Sequence, residues 1–220
     1  MQLSIIIPVL DEAARLPGLL ARLAPLDAQL IVVDGGSRDG SPEIARAAGV
    51  TVIDSPPGRA RQMNAGANAA DGEVLLFLHA DTLLPPAAGR LIRDALAGGR
   101  VWGRFDVVID GRPKMLRVVA TMMNIRSRLT GIATGDQAMF VMRGAFDAAG
   151  GFPEQPLMED IELSARLLRQ SRPACIGVPV RTSGRRWEQR GVWRTIMLMW
   201  RLRWDYWRGV PASMLAERYR

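Results

Sequence analysis

Glu73-Val-Leu-Leu-Phe-Leu-His-Ala-Asp81 is the stretch on which the reading of this chain turns. An unbroken apolar run bounded by polar residues is the pattern of an inner strand in a parallel sheet, buried on both faces. It closes on a carboxylate, Asp81, placed where such a strand runs out into solvent. Open α/β sheets bind ligands beyond the carboxyl ends of their strands. A second strand, Leu30-Ile-Val-Val-Asp34, also ends in aspartate and leads into Gly35-Gly36-Ser37-Arg38-Asp39-Gly40. Two carboxylates at the mouth of one sheet suit a metal-chelated, phosphorylated ligand.

Outward from these strands, the pattern up to about residue 82 alternates strand and helix. Strands are expected over 3–9, 30–34, 50–54 and 73–79, with helices over 13–23, 41–49 and 59–70. Ser41 caps the second helix and Pro42 occupies its first turn. Strands separated by helices of about ten residues imply a right-handed, parallel βαβ layout. Beyond residue 82 the regularity loosens. Helices are expected over 85–97, 115–129, 161–170 and 191–207, with strands over 101–109, 137–142 and 174–180. The expectation is one α/β domain over 1–220, a mostly parallel central sheet flanked by helices. Residues 1–82 form its nucleotide-binding half, and 83–220 an acceptor-side half ending in an amphipathic helix.

Composition narrows the class. A 220-residue chain with 48% hydrophobic and 23% charged residues can bury a sizeable core. Its single cysteine, Cys175, rules out an intramolecular disulfide and fits a reducing, cytoplasmic setting. The start, Met1-Gln-Leu-Ser-Ile-Ile-Ile-Pro-Val-Leu, lacks a basic leader and reads as a first strand. No apolar run reaches the roughly 18 residues of a membrane span. The net charge of +7 is almost all arginine, a residue suited to phosphate, carboxylate or anionic surfaces. Nothing matches a nucleic-acid-binding motif, and nucleic acid is not expected as a partner.

Several clusters carry candidate chemistry. Asp34 is suited to accept hydrogen bonds from a base or ribose, and equally to turn the chain with Ser37. Arg59 and Arg61, opening the helix before the Asp81 strand, suit a diphosphate or a solvated helix face. Asp81 suits Mg²⁺ or Mn²⁺, hard ions held by one or two carboxylates plus phosphate oxygens. His79, the only histidine, alternates with Asp81 along the expected strand, so both should face one side. Glu159 and Asp160 stand at a helix start, either as caps or with Asp160 as general base. The helix dipole lowers an aspartate's pKa there, and only a desolvated pocket or the neighbouring Glu159 would offset it. Trp193, Met197, Trp200, Trp204 and Trp207 share one helical face, with Arg190, Arg194, Arg201 and Arg208 on a neighbouring one. Such a stripe serves as core, as a homodimer face, or as a peripheral contact with the inner membrane surface.

Taken together, these motifs resemble the inverting nucleotide-sugar glycosyltransferases of family two, which have the GT-A fold. Ser4-Ile-Ile-Ile-Pro8-Val9-Leu10-Asp11-Glu12 is similar to that family's opening strand and base-contacting loop. Val32-Val33-Asp34-Gly35-Gly36-Ser37 is similar to its base-recognising segment, and Asn64-Ala-Gly66 to the helix before the metal motif. The family's Asp-x-Asp is here His79-Ala80-Asp81, leaving one carboxylate for the ion. Gly150-Gly151-Phe152 and Glu159-Asp160 match the elements around the catalytic base, and Arg185-Arg186-Trp187 is similar to an Arg-Trp motif of processive members. More narrowly, the set looks like a bacterial subgroup named for arsenosugar biosynthesis and radical-enzyme/selenodomain clusters.

The resemblance implies a metal-assisted transfer from a nucleotide-diphosphate sugar to an acceptor hydroxyl, with inversion. It assigns Pro8, Val9, Leu10, Glu12, Asp34, Gly36, Arg59, Arg61, Asn64, His79 and Ala80 to the donor, and Asp81 to Mg²⁺ or Mn²⁺. Asp160, with Glu159, becomes the catalytic pair. Asp136, Gln137, Arg185, Arg186 and Trp187 become the acceptor side. Two alternatives remain: a peripheral membrane enzyme acting on a polyprenyl phosphate, and a non-catalytic sugar-nucleotide binder.

Overall fold

In the computed structural model, which describes residues 1–219, every strand joins one eight-stranded sheet. The first half is built as its periodicity predicts. Strands β1 (Leu3–Val9), β2 (Ala28–Asp34), β3 (Thr51–Asp54) and β4 (Val74–Phe77) pair in parallel, in the order β3-β2-β1-β4. Helices α1 (Leu16–Leu23), α2 (Ser41–Ala47) and α3 (Arg59–Ala69) connect them. Ile5, Ile6, Ile7, Ile31, Val32, Val33, Leu75 and Leu76 are wholly buried, as a sheet covered on both faces requires. The two sides of the sheet hold separate apolar clusters. Helix α1 is shorter than expected because Pro17 sets its first turn and residues 13–15 are drawn into a loop.

The second half adds mixed pairing. After the short β5 (Thr82–Leu83) and α4 (Ala88–Ala97) come β6 (Trp102–Asp110) and α5 (Met115–Thr130). A 3₁₀ turn at Gly135–Gln137 precedes β7 (Phe140–Met142), then α6 (Arg143–Ala148), α7 (Glu159–Leu167) and β8 (Ala174–Ser183). The sheet continues β4-β7-β6-β8-β5, with β7 and β5 antiparallel to their neighbours and β6 parallel to β8. The expected final helix is α9 (Val192–Trp207); an unexpected α8 (Arg185–Arg190) precedes it, separated by Gly191 at φ 82°, and α10 (Ala212–Tyr219) follows. Among the described residues no helix is long and apolar enough to cross a membrane.

This topology gathers the chemistry at one edge. β1, β2 and β4 end there, as do β6 and β8. The antiparallel β7 and β5 begin there, so the Gly135–Gln137 turn and Asp81 arrive at the same edge.

Two expectations need correction. β4 stops at Phe77, and Leu78 makes its last sheet contact by donating its N–H to Ile6 O at 2.9 Å. Residues 80–81 then turn, with Thr82 N donating to His79 O at 3.0 Å, so His79 and Asp81 do not alternate along a strand. The Trp/Met stripe of α9 is not core: all five side chains are exposed, and the buried side of α9 is Thr195 and Leu202.

Candidate functional site

The loops that follow β1 and β2 are stitched by side chains. Asp34, buried at the end of β2, accepts the N–H groups of Gly36 and Ser37 through Oδ2 at 2.8 and 3.0 Å. Its other oxygen, Oδ1, is buried and has no protein partner. A buried acceptor left over after the turn is satisfied is costly by itself and fits a ligand's N–H or O–H. Ser37 Oγ accepts the N–H of Asp11, Asp11 accepts that of Arg38, and Asp39 accepts that of Ala13 at 2.8 Å. Asp39 is held below the usual aspartate range by the Ser41 hydroxyl and then the Ala13 N–H. Pro8 and Val9 close β1, Leu10 is exposed beyond it, and Glu12 pairs with Arg15 at 2.6 Å. Asp11 sits at φ 55°, unusual for a residue other than glycine.

Gln62 binds this region together. It was not expected as a site residue. Its amide donates to Val9 O at 2.8 Å and Val33 O at 2.9 Å, linking the ends of β1 and β2 through α3. The reach depends on Gly66, where a Cβ would collide with Ile6 and Val33 and hold the helix off the sheet. Within its own sequence window Gln62 looks like any polar helix residue, and only the tertiary contacts distinguish it.

On the other side, Arg59, His79, Gly135, Glu159 and Asp160 line a small niche with Phe77, Met63, Met139 and Phe152. Glu159 is buried and lies 3.4 Å from Arg59. Asp160 accepts the Gly135 N–H through Oδ2 and the Ile161 N–H through Oδ1, each at 2.8 Å. Burial raises both carboxyls above their ordinary range. For Glu159 the charge of Asp160 adds to the rise and Arg59 opposes it; for Asp160 the Gly135 N–H and Arg59 oppose it. For Asp160 the desolvated surroundings offset the helix dipole, and the like charge that adds to the rise is Asp136, not the expected Glu159. His79 Nδ1 faces Asp136 Oδ1 at 3.4 Å, while Nε2 is buried without a partner against Gly135. A Cβ at residue 135 would lie 2.5 Å from the ring, so only glycine fits there. Burial would raise the Asp136 carboxyl, but His79, then Arg59 and Arg186, hold it below the ordinary value.

Two left-handed residues flank this niche. Ala138 follows the 3₁₀ turn at φ 46°, and Met158 precedes Glu159 at φ 67°. Strained backbone of this kind persists where surrounding contacts over-determine it, commonly at functional sites.

Other expected residues are placed differently. Arg61 points outward to Glu154 at 3.3 Å, leaving Arg59 as the arginine of the niche. Asn64 spends its amide on Phe152, donating to its carbonyl at 2.8 Å and accepting its N–H at 2.9 Å. Gln137 is fully buried; its side-chain oxygen accepts the Thr134 N–H at 3.2 Å, so it shapes the turn instead of facing an acceptor. Trp187 packs against the main apolar cluster, while Arg185 is exposed. Arg186 lies with its guanidinium 4.1 Å from the Tyr219 ring centroid. Burial and the charges of Arg190 and Arg59 lower its pKa, and the charges of Asp136 and Asp81 oppose that fall.

Asp81 is half-buried and Ala80 buried. Among the described residues no group of three or more His, Cys, Asp or Glu could hold a metal ion. The donor set fits a hard ion only as one corner of a coordination sphere completed by phosphate oxygens and water.

A half-parallel, half-mixed sheet with the Asp34 turn at one end of its edge and paired carboxylates at the other is consistent with a nucleotide-diphospho-sugar transferase fold of the GT-A type. Residues 4–148 match the model of glycosyl transferase family 2, and the chain belongs to that family. It is 35% identical over 190 residues to the succinoglycan biosynthesis protein ExoA of Rhizobium meliloti, covering 74% of this chain and 57% of that protein. It is 32% identical over 155 residues to an undecaprenyl-phosphate 4-deoxy-4-formamido-L-arabinose transferase of Pseudomonas fluorescens, covering 60% and 44%. The Aeromonas hydrophila transferase of that name is 34% identical over 120 residues, covering 48% and 35%. The chain thus spans between a third and just over half the length of these relatives. Among solved structures, S. aureus TarS in complex with UDP-GlcNAc shares the fold at a TM-score of 0.66 and 17% identity, covering 83% of this chain and 58% of that one. Glucosyl-3-phosphoglycerate synthase of Mycobacterium tuberculosis, with Mg²⁺ and UDP, does so at 0.57 and 18%, covering 82% and 70%.

Proposed function

We propose that this chain transfers a sugar from a nucleotide-diphosphate donor to a polyprenyl phosphate, with inversion at the anomeric carbon. The observation that carries the transferase reading is the Glu159–Asp160 pair, raised by burial and set beside Arg59 and His79. The lipid acceptor is supported by the relatives whose names give undecaprenyl phosphate.

In this reading the base and ribose lie over Val9, Leu10, Asp34 and Gly36, with the orphan oxygen of Asp34 accepting from the nucleoside. Arg59 neutralises charge on the diphosphate. A divalent ion, Mg²⁺ or Mn²⁺, supplies further charge neutralisation when bound, and Asp81 is the residue that would hold it. An oxygen of the acceptor attacks the anomeric carbon as the bond to the nucleoside diphosphate breaks. Asp160 takes the acceptor's proton; a phosphate monoester, with a second pKa of about 6, asks little of that base. Asp136 and Arg186 flank the approach.

A hydroxyl acceptor is the second reading. The raised pKa of Asp160 favours it, since a hydroxyl needs a stronger base than a phosphate does. The narrower likeness to the arsenosugar-associated subgroup adds no substrate of its own.

The test is transfer of labelled sugar from UDP- and GDP-sugars to undecaprenyl phosphate or to soluble sugars, with Mn²⁺. Asp160→Asn should abolish transfer while nucleoside diphosphate still raises the melting temperature. Unchanged turnover in that variant would remove Asp160 as base. Turnover on soluble sugars alone would replace the lipid by a hydroxyl acceptor, and thermal stabilisation by donors without any turnover would leave a binding protein. Mn²⁺ alone should barely shift melting, and Mn²⁺ with nucleoside diphosphate should shift it clearly, because one carboxylate binds the ion weakly without phosphate.

A further inference from the structure

We infer that the outward face of α9 is a docking surface for an anionic lipid bilayer, and that it brings the Glu159–Asp160 cleft to the headgroup layer. The face carries Trp193, Met197, Trp200, Trp204 and Trp207, which are 67%, 64%, 69%, 58% and 76% exposed. So much uncovered tryptophan on one helix is unusual for a surface in water. Tryptophan is the residue enriched where membrane meets water, and amphipathic helices that lie in that layer pair it with flanking cations. Exposed Arg194, Arg201 and Arg208 run along one flank of this face.

Charge selects the occupant. Residues 185–220 hold nine arginines and three acidic residues, a net +6 of the chain's +7. The only acid on α9, Asp205, is engaged by Arg218 at 2.9 Å and Arg201 at 4.0 Å. A second copy laid on this face would meet the same arginine row with no acid to match it, whereas an anionic bilayer complements it.

The buried side of α9 links this face to the site. Leu202, with Leu198, Met199 and Tyr206, packs on Leu157, Met158 and Ile161, the residues that bracket Glu159 and Asp160. The Tyr206 hydroxyl donates to Glu162 at 3.4 Å and accepts from Gln155 at 3.3 Å. α8, one residue upstream of α9, carries Arg186, whose charge feels both Asp136 and Asp81. A phosphate on a lipid would therefore arrive where the acceptor is needed. The inference rests on the lipid-phosphate reading for its purpose, while its evidence is the exposed face itself.

Sedimentation of the full chain with phosphatidylcholine vesicles, with and without phosphatidylglycerol, tests it. Binding is expected only with phosphatidylglycerol, weakened about tenfold in W200S/W204S and about fivefold per arginine in R194Q/R201Q/R208Q. Circular dichroism and an unchanged melting temperature without vesicles should show that both variants keep their fold. A folded chain that stays in the supernatant with phosphatidylglycerol vesicles overturns the inference. So does a dimer in solution that W200S/W204S converts to monomer, since the face would then be a subunit interface. Vesicle binding needs neither donor nor acceptor, so its retention in a chain inactive on every donor supports docking and counts only against sugar transfer.

Discussion

Asp160 stands at the first turn of α7, where two backbone N–H groups favour its ionised form, yet burial outweighs them and its pKa rises. Glu159 beside it rises too, through burial and then the charge of Asp160. Two neighbouring acids of this kind titrate in sequence, and here the repulsion falls on Glu159, so Asp160 ionises beside a Glu159 that still holds its proton. A base must be ionised to work, and turnover should fall as pH drops through the raised value. Glu159→Gln, which mimics the protonated neighbour, should leave the acid limb of the kcat/KM profile in place; a limb displaced to lower pH would mean that Glu159 ionises before Asp160. The same rise has a stability consequence of opposite sense. The folded state holds these protons more tightly than the unfolded chain, so the pair begins to cost stability as pH rises past the unfolded value, and the cost is complete above the folded one. At this scale Asp34 and Asp160 could be singled out because each ends or opens an element whose periodicity is plain, whereas Asp81 lies in a turn beyond the end of β4 at Phe77. Gly135 could not, because its need for a missing Cβ comes from His79, which lies far away in sequence.

At the scale of elements, the parallel half was legible and the pairing beyond it was not. Each strand of β1 to β4 announces itself by a local apolar run, and the right-handed crossover leaves little freedom in how they join. The direction and order of β6, β7 and β8 depend on partners many residues away, including the register irregularity between Phe105 and Asp106. The stripe on α9 shows the converse: its spacing fixed which residues share a face, but not whether anything covers that face. Helix α3 is where an element has a duty beyond its own stability. Through Gln62 it holds the carboxyl ends of β1 and β2 together, under the Asp34 turn. Gln62→Leu would strip a donor from the buried Val9 and Val33 carbonyls, at a cost of about 1–3 kcal/mol. Denaturant unfolding should show that loss, and calorimetry should show weaker nucleoside diphosphate binding. A variant as stable as the parent would mean that the two carbonyls find other donors.

For the molecule as a whole, the C-terminal helices bear on the site from outside the sheet. They contribute nothing to the eight strands, and their small cluster of Leu202, Leu215 and Met158 is separate from the two larger cores. Yet this cluster holds Met158 in its left-handed conformation at φ 67°, and Met158 sets the entry into the Glu159–Asp160 turn. Leu202 is 1% exposed, so Leu202→Ala leaves a cavity that costs about 2–5 kcal/mol. Because the cluster is a satellite, the loss should fall unevenly. Hydrogen exchange should accelerate at residues 155–162 and along α9 and α10, while the amides of β1, β2 and β4 keep their protection except through global unfolding. Donor turnover should fall with it, since the carboxyl pair loses its fixed position although no catalytic group has changed. Equal acceleration throughout the sheet would show instead that α9 and α10 fold as one unit with the core, and that the site has no local brace.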